Sequence, residues 1–154
     1  MVGAGVASAS FFQDGIFVVA FPPDLRLNIG RMAGSREPTL RVTMLPRDTN
    51  ARGTIFGGVI LSHIDLAGGI VAARQAARNF VTRAMREVAF IAPVYVGDVV
   101  SFYARIVGVG TTSVTVQVTV EAERMGKPDS AVPVTQAEVI YVAVDEAGKA
   151  MPLK

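Results

Sequence analysis

One stretch of the sequence, VILSHIDLAGGIVAARQAARN, constrains the fold more than any other, and it follows Gly57 and Gly58 directly. Most of its residues are good helix formers, and its apolar residues fall on nearly every face of the predicted helix. A helix over 57–78 would be roughly 33 Å long at about 1.5 Å per residue. Because a helix that is apolar all round belongs in a core, the rest of the chain must form a layer that covers it.

The residues on both sides of this helix predict β-strands. The clearest strand is 113–123, where valines at alternate positions are separated by Thr, Gln and Glu, the period of a strand with one buried face. Further strands are predicted at 40–45, 80–90, 99–107 and 134–144, with turn-forming residues between them. Successive strands with short connections form an antiparallel sheet. The predicted fold class is therefore α+β, an antiparallel sheet wrapped around one long central helix.

Residues 1–36 differ from the rest of the chain. They are rich in Gly, Ala, Ser and Pro, and they contain one short apolar run at 16–21. The first basic residue, Arg26, comes after this run and the acidic Asp14 comes before it, which argues against a signal peptide. We predict a poorly ordered N-terminal extension over 1–36, with an added strand or a surface-packed arm as the alternative, and a single domain over 37–154.

Composition removes several classes of function. The chain has no cysteine and one histidine, His63, which excludes disulfides, zinc–thiolate sites, a cysteine nucleophile and a multi-histidine metal site. A net charge of +2 does not suggest a nucleic-acid binder, and no apolar run approaches the roughly 18 residues that span a bilayer. We therefore expect a cytoplasmic protein without metal or cofactor. A hydrophobic content of 51% indicates that other subunits cover part of its surface.

Asp65 is a lone carboxylate in the middle of the apolar helix. Burying an unpaired charge costs several kcal/mol, so Asp65 needs either a structural partner or a chemical role. Gly57 and Gly58 at the helix N-terminus would let a ligand approach free N–H groups, about two turns before Asp65 on roughly the same face. The alternative is that the glycines only form a tight turn. His63 points away from Asp65, roughly 200° around the helix, and is expected to be satisfied by packing or by a partner subunit. The glycines at 68–69 are expected to permit close approach of a twin helix or of an acyl chain.

The stretch LPRDTNARGTIFGGVILSHIDLAGG, residues 45–69, resembles the hotdog-fold acyl-CoA thioesterases, in particular the single-domain bacterial acyl-CoA hydrolases. A second block within 81–100 matches through VT, F, PV and VGD, and a third is GVGTTS at 108–113. The order and spacing of these blocks make the resemblance specific, and it covers about residues 38–146.

The resemblance implies a hotdog domain that forms a homodimer, or a dimer-based tetramer or hexamer, and hydrolyses acyl-CoA to a carboxylic acid and CoA. Asp65 would act as general base or as nucleophile, and Gly58 would bind the oxyanion. Asn50 would face Asp65 of the other subunit, although an ordinary turn role is the alternative; Asp48 is expected to stabilise its loop. Contacts with substrate are implied for Gly57, Thr82, Gly110, Thr112 and Ser113.

Some assignments stay open at this level. The phosphates of CoA favour cationic side chains, and the candidates are Arg83, Arg86, Arg105, Arg124 and Lys127. An enoyl-thioester hydratase on the same fold would need a histidine paired with an acid, which His63 does not provide. A non-catalytic acyl-CoA sensor is the other alternative, but it would need no buried aspartate. No nucleic-acid partner is expected.

Overall fold

The computed structural model of the protein describes residues 10–13, 16–19, 37–86, 88–127 and 130–154. The chain forms two units, Met1–Ser35 and Arg36–Lys154. Within the first unit, strand β1 (Ser10–Gln13) pairs antiparallel with strand β2 (Ile16–Val19). The remaining residues up to 36 lie outside the described part of the chain, so the poor order expected for the extension stays a prediction.

The second unit contains one long helix and a five-stranded sheet. Its elements, in chain order, are β3 (Leu40–Thr43), a 3-10 turn (Pro46–Asp48), α1 (Gly57–Gln75), β4 (Asn79–Arg86), β5 (Val99–Val109), β6 (Ser113–Glu123) and β7 (Ala131–Val144). The strand order is β3-β5-β6-β7-β4, and every neighbouring pair is antiparallel. This is the α+β arrangement that the sequence predicted. No helix in the described part combines the length and the hydropathy that crossing a membrane requires.

The core lies between α1 and one face of the sheet. The alternation in β6 places its valines inward, and Val114, Val116, Val118 and Val120 are completely buried. On α1 the residues that face the sheet are Ile60, Ile64, Ala67, Gly68 and Ala72. The opposite face of α1 is also apolar, but Leu66 is 58% exposed and Ile70 is 39% exposed. The sheet therefore covers only one side of this helix.

Three predicted elements were too long, and the first is the strand predicted at 40–45, which ends at Thr43. Helix α1 ends at Gln75 and not at 78, because Ala76 has an extended backbone and the chain turns to pair Asn79 with Val144. The helix-forming Ala and Arg residues after Gln75 are overruled by this strand pairing, since propensity is a weak prior against tertiary contacts. Strand β4 ends at Arg86 and not at 90. Beyond it, the Ile91 N–H still donates to the Val134 carbonyl at 2.9 Å, but this hydrogen bond lies outside the regular strand pairing.

A turn near the start of β5 is held by a buried charge. The carboxylate of Asp98, 2% exposed, accepts the Tyr95 N–H at 2.9 Å and pairs with the Arg124 guanidinium. Arg124 also donates to the Pro93 carbonyl at 2.9 Å and lies 5.1 Å from the centroid of the Tyr95 ring. Arg124 was a candidate for binding CoA phosphates, but its guanidinium is engaged in these contacts and stabilises the fold.

We expect Arg124→Met to lower the free energy of unfolding by about 3 kcal/mol, because it leaves the Asp98 carboxylate buried without its cation. Urea denaturation measures this loss. Arg105→Met is the matched control, since Arg105 is exposed and donates to Gln117 on the neighbouring strand, and we expect a change of under about 0.5 kcal/mol. Equal stabilities of the two variants would contradict a structural role for the buried pair.

Candidate active site

The register of two strands brings two hydroxyl groups to Asp65. Thr82 on β4 lies directly opposite Tyr141 on β7, so their side chains share the face of the sheet that meets α1. Thr82 Oγ1 donates to Asp65 Oδ1 at 2.5 Å. The Tyr141 hydroxyl donates to the Asp65 carbonyl at 2.8 Å and lies 3.3 Å from Oδ1. Among the described residues, no group donates to Oδ2, so one carboxylate oxygen is held and the other is available.

An open groove of about 530 Å³ runs beside Asp65. Leu66 and Ile70 of α1 and Phe80 of β4 give it apolar walls, and Arg78 is also among its lining residues. The groove therefore places a carboxylate next to a surface that suits an aliphatic chain. Arg78 was not among the basic residues singled out from the sequence, because its position in a predicted helix gave no sign that it would lie near Asp65.

Tyr141 is the site residue that the sequence reading missed. It is 2% exposed, and burial first, then the negative charge of Asp65 and the hydrogen bond to it, raises its pKa above the ordinary value. The phenol is therefore neutral and acts as a donor. Because a free tyrosine ionises near about pH 10, Tyr141 contributes its full stability below that pH and loses it above. A signal existed, since a tyrosine on the buried face of a valine-rich strand needs a hydrogen-bond partner.

Gly68 has a different role from the one expected. The sequence suggested that Gly68 and Gly69 allow close approach of a twin helix or an acyl chain. Gly68 instead faces β7, where a Cβ atom would lie 2.3 Å from the Tyr141 hydroxyl oxygen. Gly68 therefore admits the Tyr141 side chain against the helix, whereas Gly69 lines the groove beside Asp65.

The N-terminus of α1 begins at Gly57 and presents free donors. The Val59 N–H donates to the Phe56 carbonyl at 2.9 Å, but the N–H groups of Gly57 and Gly58 have no acceptor among the described residues. Gly57 lines a second groove of about 310 Å³ together with Phe90. These N–H groups and the helix dipole make this end of α1 suited to a developing negative charge.

Asn50 lies in the loop before α1 and bonds within that loop. Its Nδ2 donates to Thr54 Oγ1 at 2.9 Å, and its Oδ1 accepts the Arg52 N–H at 2.8 Å. Asp48 accepts the Leu45 N–H at 2.9 Å, as expected for a residue that stabilises the loop. Within one protomer Asn50 does not line the groove beside Asp65. Its predicted role across a subunit interface is therefore a matter for experiment.

The three residues predicted near the CoA arm form the turn between β5 and β6. The Gly110 N–H donates to the Ser113 carbonyl at 2.8 Å, and the Thr112 carbonyl accepts the Ala143 N–H at 2.8 Å. Gly110 lines a separate cavity with Leu153 from the end of the chain. Within one protomer this turn and the groove beside Asp65 are distinct surfaces.

His63 is satisfied by its own surroundings, in agreement with the sequence reading. Its Nδ1 is 2.8 Å from the Val59 carbonyl, which makes Nδ1 the protonated nitrogen. Its ring stacks on Phe102, with the centroids 5.6 Å apart. His63 therefore contacts the core and makes no hydrogen bond to Asp65.

Comparison with known proteins identifies the family. The thioesterase superfamily model matches residues 52–128, which include the whole of α1. Acyl-CoA thioester hydrolase YciA of Salmonella typhimurium is 43% identical over 122 residues, which cover 76% of this chain and 90% of that protein. This chain belongs to the thioesterase superfamily. The matched residues contain both Asp65 and the two glycines at the start of the helix.

Similarity to solved structures identifies the fold of this thioesterase. A hexameric hotdog fold thioesterase of Campylobacter jejuni, Cj0915, matches with a TM-score of 0.72 and 45% identity, covering 77% of this chain and 90% of that chain. HI0827, a hexameric broad specificity acyl-coenzyme A thioesterase solved as an Asp-to-Ala mutant enzyme, matches with a TM-score of 0.73 and 35% identity, covering 78% and 88% of the two chains. The predicted hotdog fold is confirmed.

Proposed function

We propose that this chain is an acyl-CoA thioesterase in which Asp65 carries the reaction. The observation that supports this assignment is the arrangement of the Asp65 carboxylate. Oδ1 accepts the Thr82 hydroxyl, and in the described part of the chain nothing donates to Oδ2, which lies next to a largely apolar groove. Relatives that are acyl-CoA thioester hydrolases, and a neighbour studied as an Asp-to-Ala mutant, support the same activity. A sensor that only binds acyl-CoA would need no carboxylate held in this way.

Two chemical routes fit this carboxylate. As a general base, Oδ2 takes a proton from water while the water oxygen adds to the thioester carbonyl carbon. The tetrahedral intermediate then breaks its C–S bond, and the proton passes to the sulfur of CoA. As a nucleophile, Oδ2 adds to the carbonyl carbon itself, CoA leaves, and water hydrolyses the mixed anhydride of Asp65. Both routes give a carboxylic acid, CoA and an unchanged enzyme.

The oxyanion requires donors, and we propose that another subunit supplies them, because Asp65 and the start of α1 lie far apart along one helix. Asp65 follows Gly58 by seven positions, a rise of about 10 Å at about 1.5 Å per residue. A reacting carbonyl has to lie about 3 Å from both the carboxylate and the oxyanion donors. This rise along one helix favours donors from a second subunit. Two antiparallel helices related by a two-fold axis near Ser62 would place Asp65 of one subunit beside Gly57 and Gly58 of the other.

The uncovered face of α1 supports such a homodimer. Leu66 and Ile70, one turn apart, form an apolar stripe beside Asp65, and Phe56 at the helix start is 58% exposed. Exposed apolar stripes of this kind mark subunit interfaces. Ser62, one turn before Leu66, has a short side chain that permits two helices to approach closely. The hexameric assembly of two neighbours supports a further assembly of such dimers.

Other assignments remain proposals for this site. We propose that Gly57 and the turn that contains Gly110, Thr112 and Ser113 contact the CoA part of the substrate. Thr82 was predicted to bind substrate, and its hydroxyl bond to Asp65 supports a position at the reacting end of the groove. A cytoplasmic location, a role in lipid metabolism and the independence from any cofactor are predictions from the sequence.

The proposed function is tested by following CoA thiol release from acyl-CoA substrates of increasing chain length. We expect turnover on at least one chain length without added metal, and the profile of kcat/KM gives the acyl preference. Saturable binding of acyl-CoA without thiol release would instead support the sensor alternative.

We expect removal of residues 1–35 to leave kcat within about twofold of the full chain, because the described site residues all lie in the second unit. The measurement compares thiol release and oligomer size for the two proteins. A soluble truncated protein that has lost activity would show that the extension contributes to the site or to the assembly.

A further inference from the structure

The Tyr141 hydroxyl contacts the helix at the residue that bears the site's carboxylate. It donates to the Asp65 carbonyl at 2.8 Å and lies 3.3 Å from Oδ1 of the same residue. A carbonyl inside a helix already accepts the N–H four residues later, so the Tyr141 hydroxyl donates to the second lone pair of the Asp65 carbonyl oxygen. One side chain of the sheet therefore contacts both the backbone and the side chain of Asp65.

We propose that Tyr141 is a positioning residue for hydrolysis, which sets the orientation of the Asp65 carboxylate, and that Gly68 is the glycine that makes this contact possible. The inference rests on the proposed thioesterase function of the same groove. Tyr141 does not donate to the available oxygen Oδ2 and need not touch the substrate. It acts through Asp65.

The geometry explains why both donors are needed. The hydrogen bond from Thr82 Oγ1 fixes the position of Oδ1 only. With this bond alone, the carboxylate can still pivot around Oδ1, and the position of Oδ2 is not fixed. Tyr141, from the opposite strand, fixes the backbone of the same residue and approaches Oδ1 from a second direction. With the main chain and Oδ1 both held, Oδ2 has a defined direction, and catalysis depends strongly on such alignment.

The contact is specific to a tyrosine against a glycine. A Cβ atom at position 68 would lie 2.3 Å from the Tyr141 hydroxyl oxygen, a distance that Cβ atoms essentially never show, and 3.0 Å from two ring carbons, which is a tight contact. Tyr141 cannot retreat easily, because it is 2% exposed and packed in the core. Any side chain at Gly68 would therefore displace the phenol from Asp65.

The direct test is Tyr141→Phe, which keeps the ring and removes the hydroxyl. We expect kcat for acyl-CoA hydrolysis to fall about tenfold while KM changes less than about twofold, because the variant keeps the ring of residue 141, which lines the groove, and alters only the alignment of Asp65. Tyr95→Phe is the matched control, since Tyr95 is 45% exposed and its recorded hydrogen bonds to Asp98 use its backbone N–H and carbonyl and not its hydroxyl. The kcat of this variant should equal that of the unsubstituted protein.

Gly68→Ala adds a test of coupling. Alone it should lower kcat at least as much as Tyr141→Phe, because the methyl group occupies the position of the hydroxyl. In the Tyr141→Phe background its further effect should be smaller, since that hydroxyl is absent and only the ring contacts remain. Full multiplication of the two losses would mean that the residues act independently.

Two results would overturn the inference. One is an unchanged kcat for folded Tyr141→Phe, even if its unfolding midpoint falls, because Tyr141 would then only stabilise the core. If the unsubstituted protein releases no thiol, the proposed function fails. The positioning role can still be tested in that case, by comparing crystal structures of the unsubstituted protein and of Tyr141→Phe. We expect the variant to show Asp65 rotated or in two conformers, and an unchanged single conformer is the other result that refutes the inference.

Discussion

Asp65→Asn should lower kcat for acyl-CoA hydrolysis at least about a hundredfold while the protein stays folded, the loss expected when a general base or nucleophile is removed. The amide has the shape of the carboxylate, and its oxygen can still accept the Thr82 hydroxyl that now reaches Oδ1 at 2.5 Å. The substitution changes the other carboxylate oxygen, Oδ2. An NH₂ group in the place of Oδ2 can neither take a proton from water nor attack a thioester.

The measurement is single-substrate turnover of purified protein, with circular dichroism and oligomer size measured on the same sample. Asp145→Asn is a matched control, because Asp145 accepts the N–H groups of Ala147 and Lys149 in an exposed turn and does not line the groove. It should keep the turnover of the unsubstituted protein. Near-normal activity of correctly assembled Asp65→Asn would remove Asp65 from the mechanism.

Much of the fold follows from two periodicities. The helix that is apolar all round predicted a core element, and the valine alternation at 113–123 predicted a strand whose bounds match β6. The lone carboxylate in that helix directed attention to Asp65 before any contact was known. These signals are local, since each depends on the spacing of residues within one element.

The contacts that build the site are not local and left weaker signals. Thr82 and Tyr141 meet only because β4 pairs with β7, at a register that shifts between Thr82 and Ala84. The register shift adds one residue, Arg83, to β4, and alternation along the sequence does not reveal such an irregularity. Gly68 was interpreted as a surface for another helix, because the sequence does not say which face of α1 meets the sheet.

Arg124 illustrates the same limit for charges. A basic residue in a polar stretch after a strand looked suitable for a phosphate, but Arg124 pairs with Asp98, and two whole strands, β5 and β6, separate these residues in the chain. Sequence composition shows how many cations a chain has and not which of them are already engaged. The groove beside Asp65 contains Arg78, at the start of β4, instead of the basic residues that the sequence favoured.

Mixing two inactive variants should restore activity if each site uses two subunits. We propose that Asn50 of one subunit serves Asp65 of the other, and that the oxyanion donors of each site also come from the partner, as the rise of about 10 Å between Gly58 and Asp65 along one helix favours. In a dimer of Asn50→Ala with Asp65→Asn, one site then carries both lesions and the other carries neither. A random mixture should recover roughly a quarter of full activity, since about half the dimers are mixed and each has one intact site.

Each parent variant is characterised before mixing. Asn50→Ala removes the bonds to Thr54 and to the Arg52 N–H, so its unfolding midpoint and oligomer size must match those of the unsubstituted protein. Subunit exchange is followed with two differently tagged parents, and activity is read after exchange is complete. If Asn50 and Asp65 of the same chain formed one site, every site in every dimer would carry a lesion, and mixing would restore nothing. Complete exchange without recovered turnover would therefore refute the shared site and leave the thioesterase assignment in place.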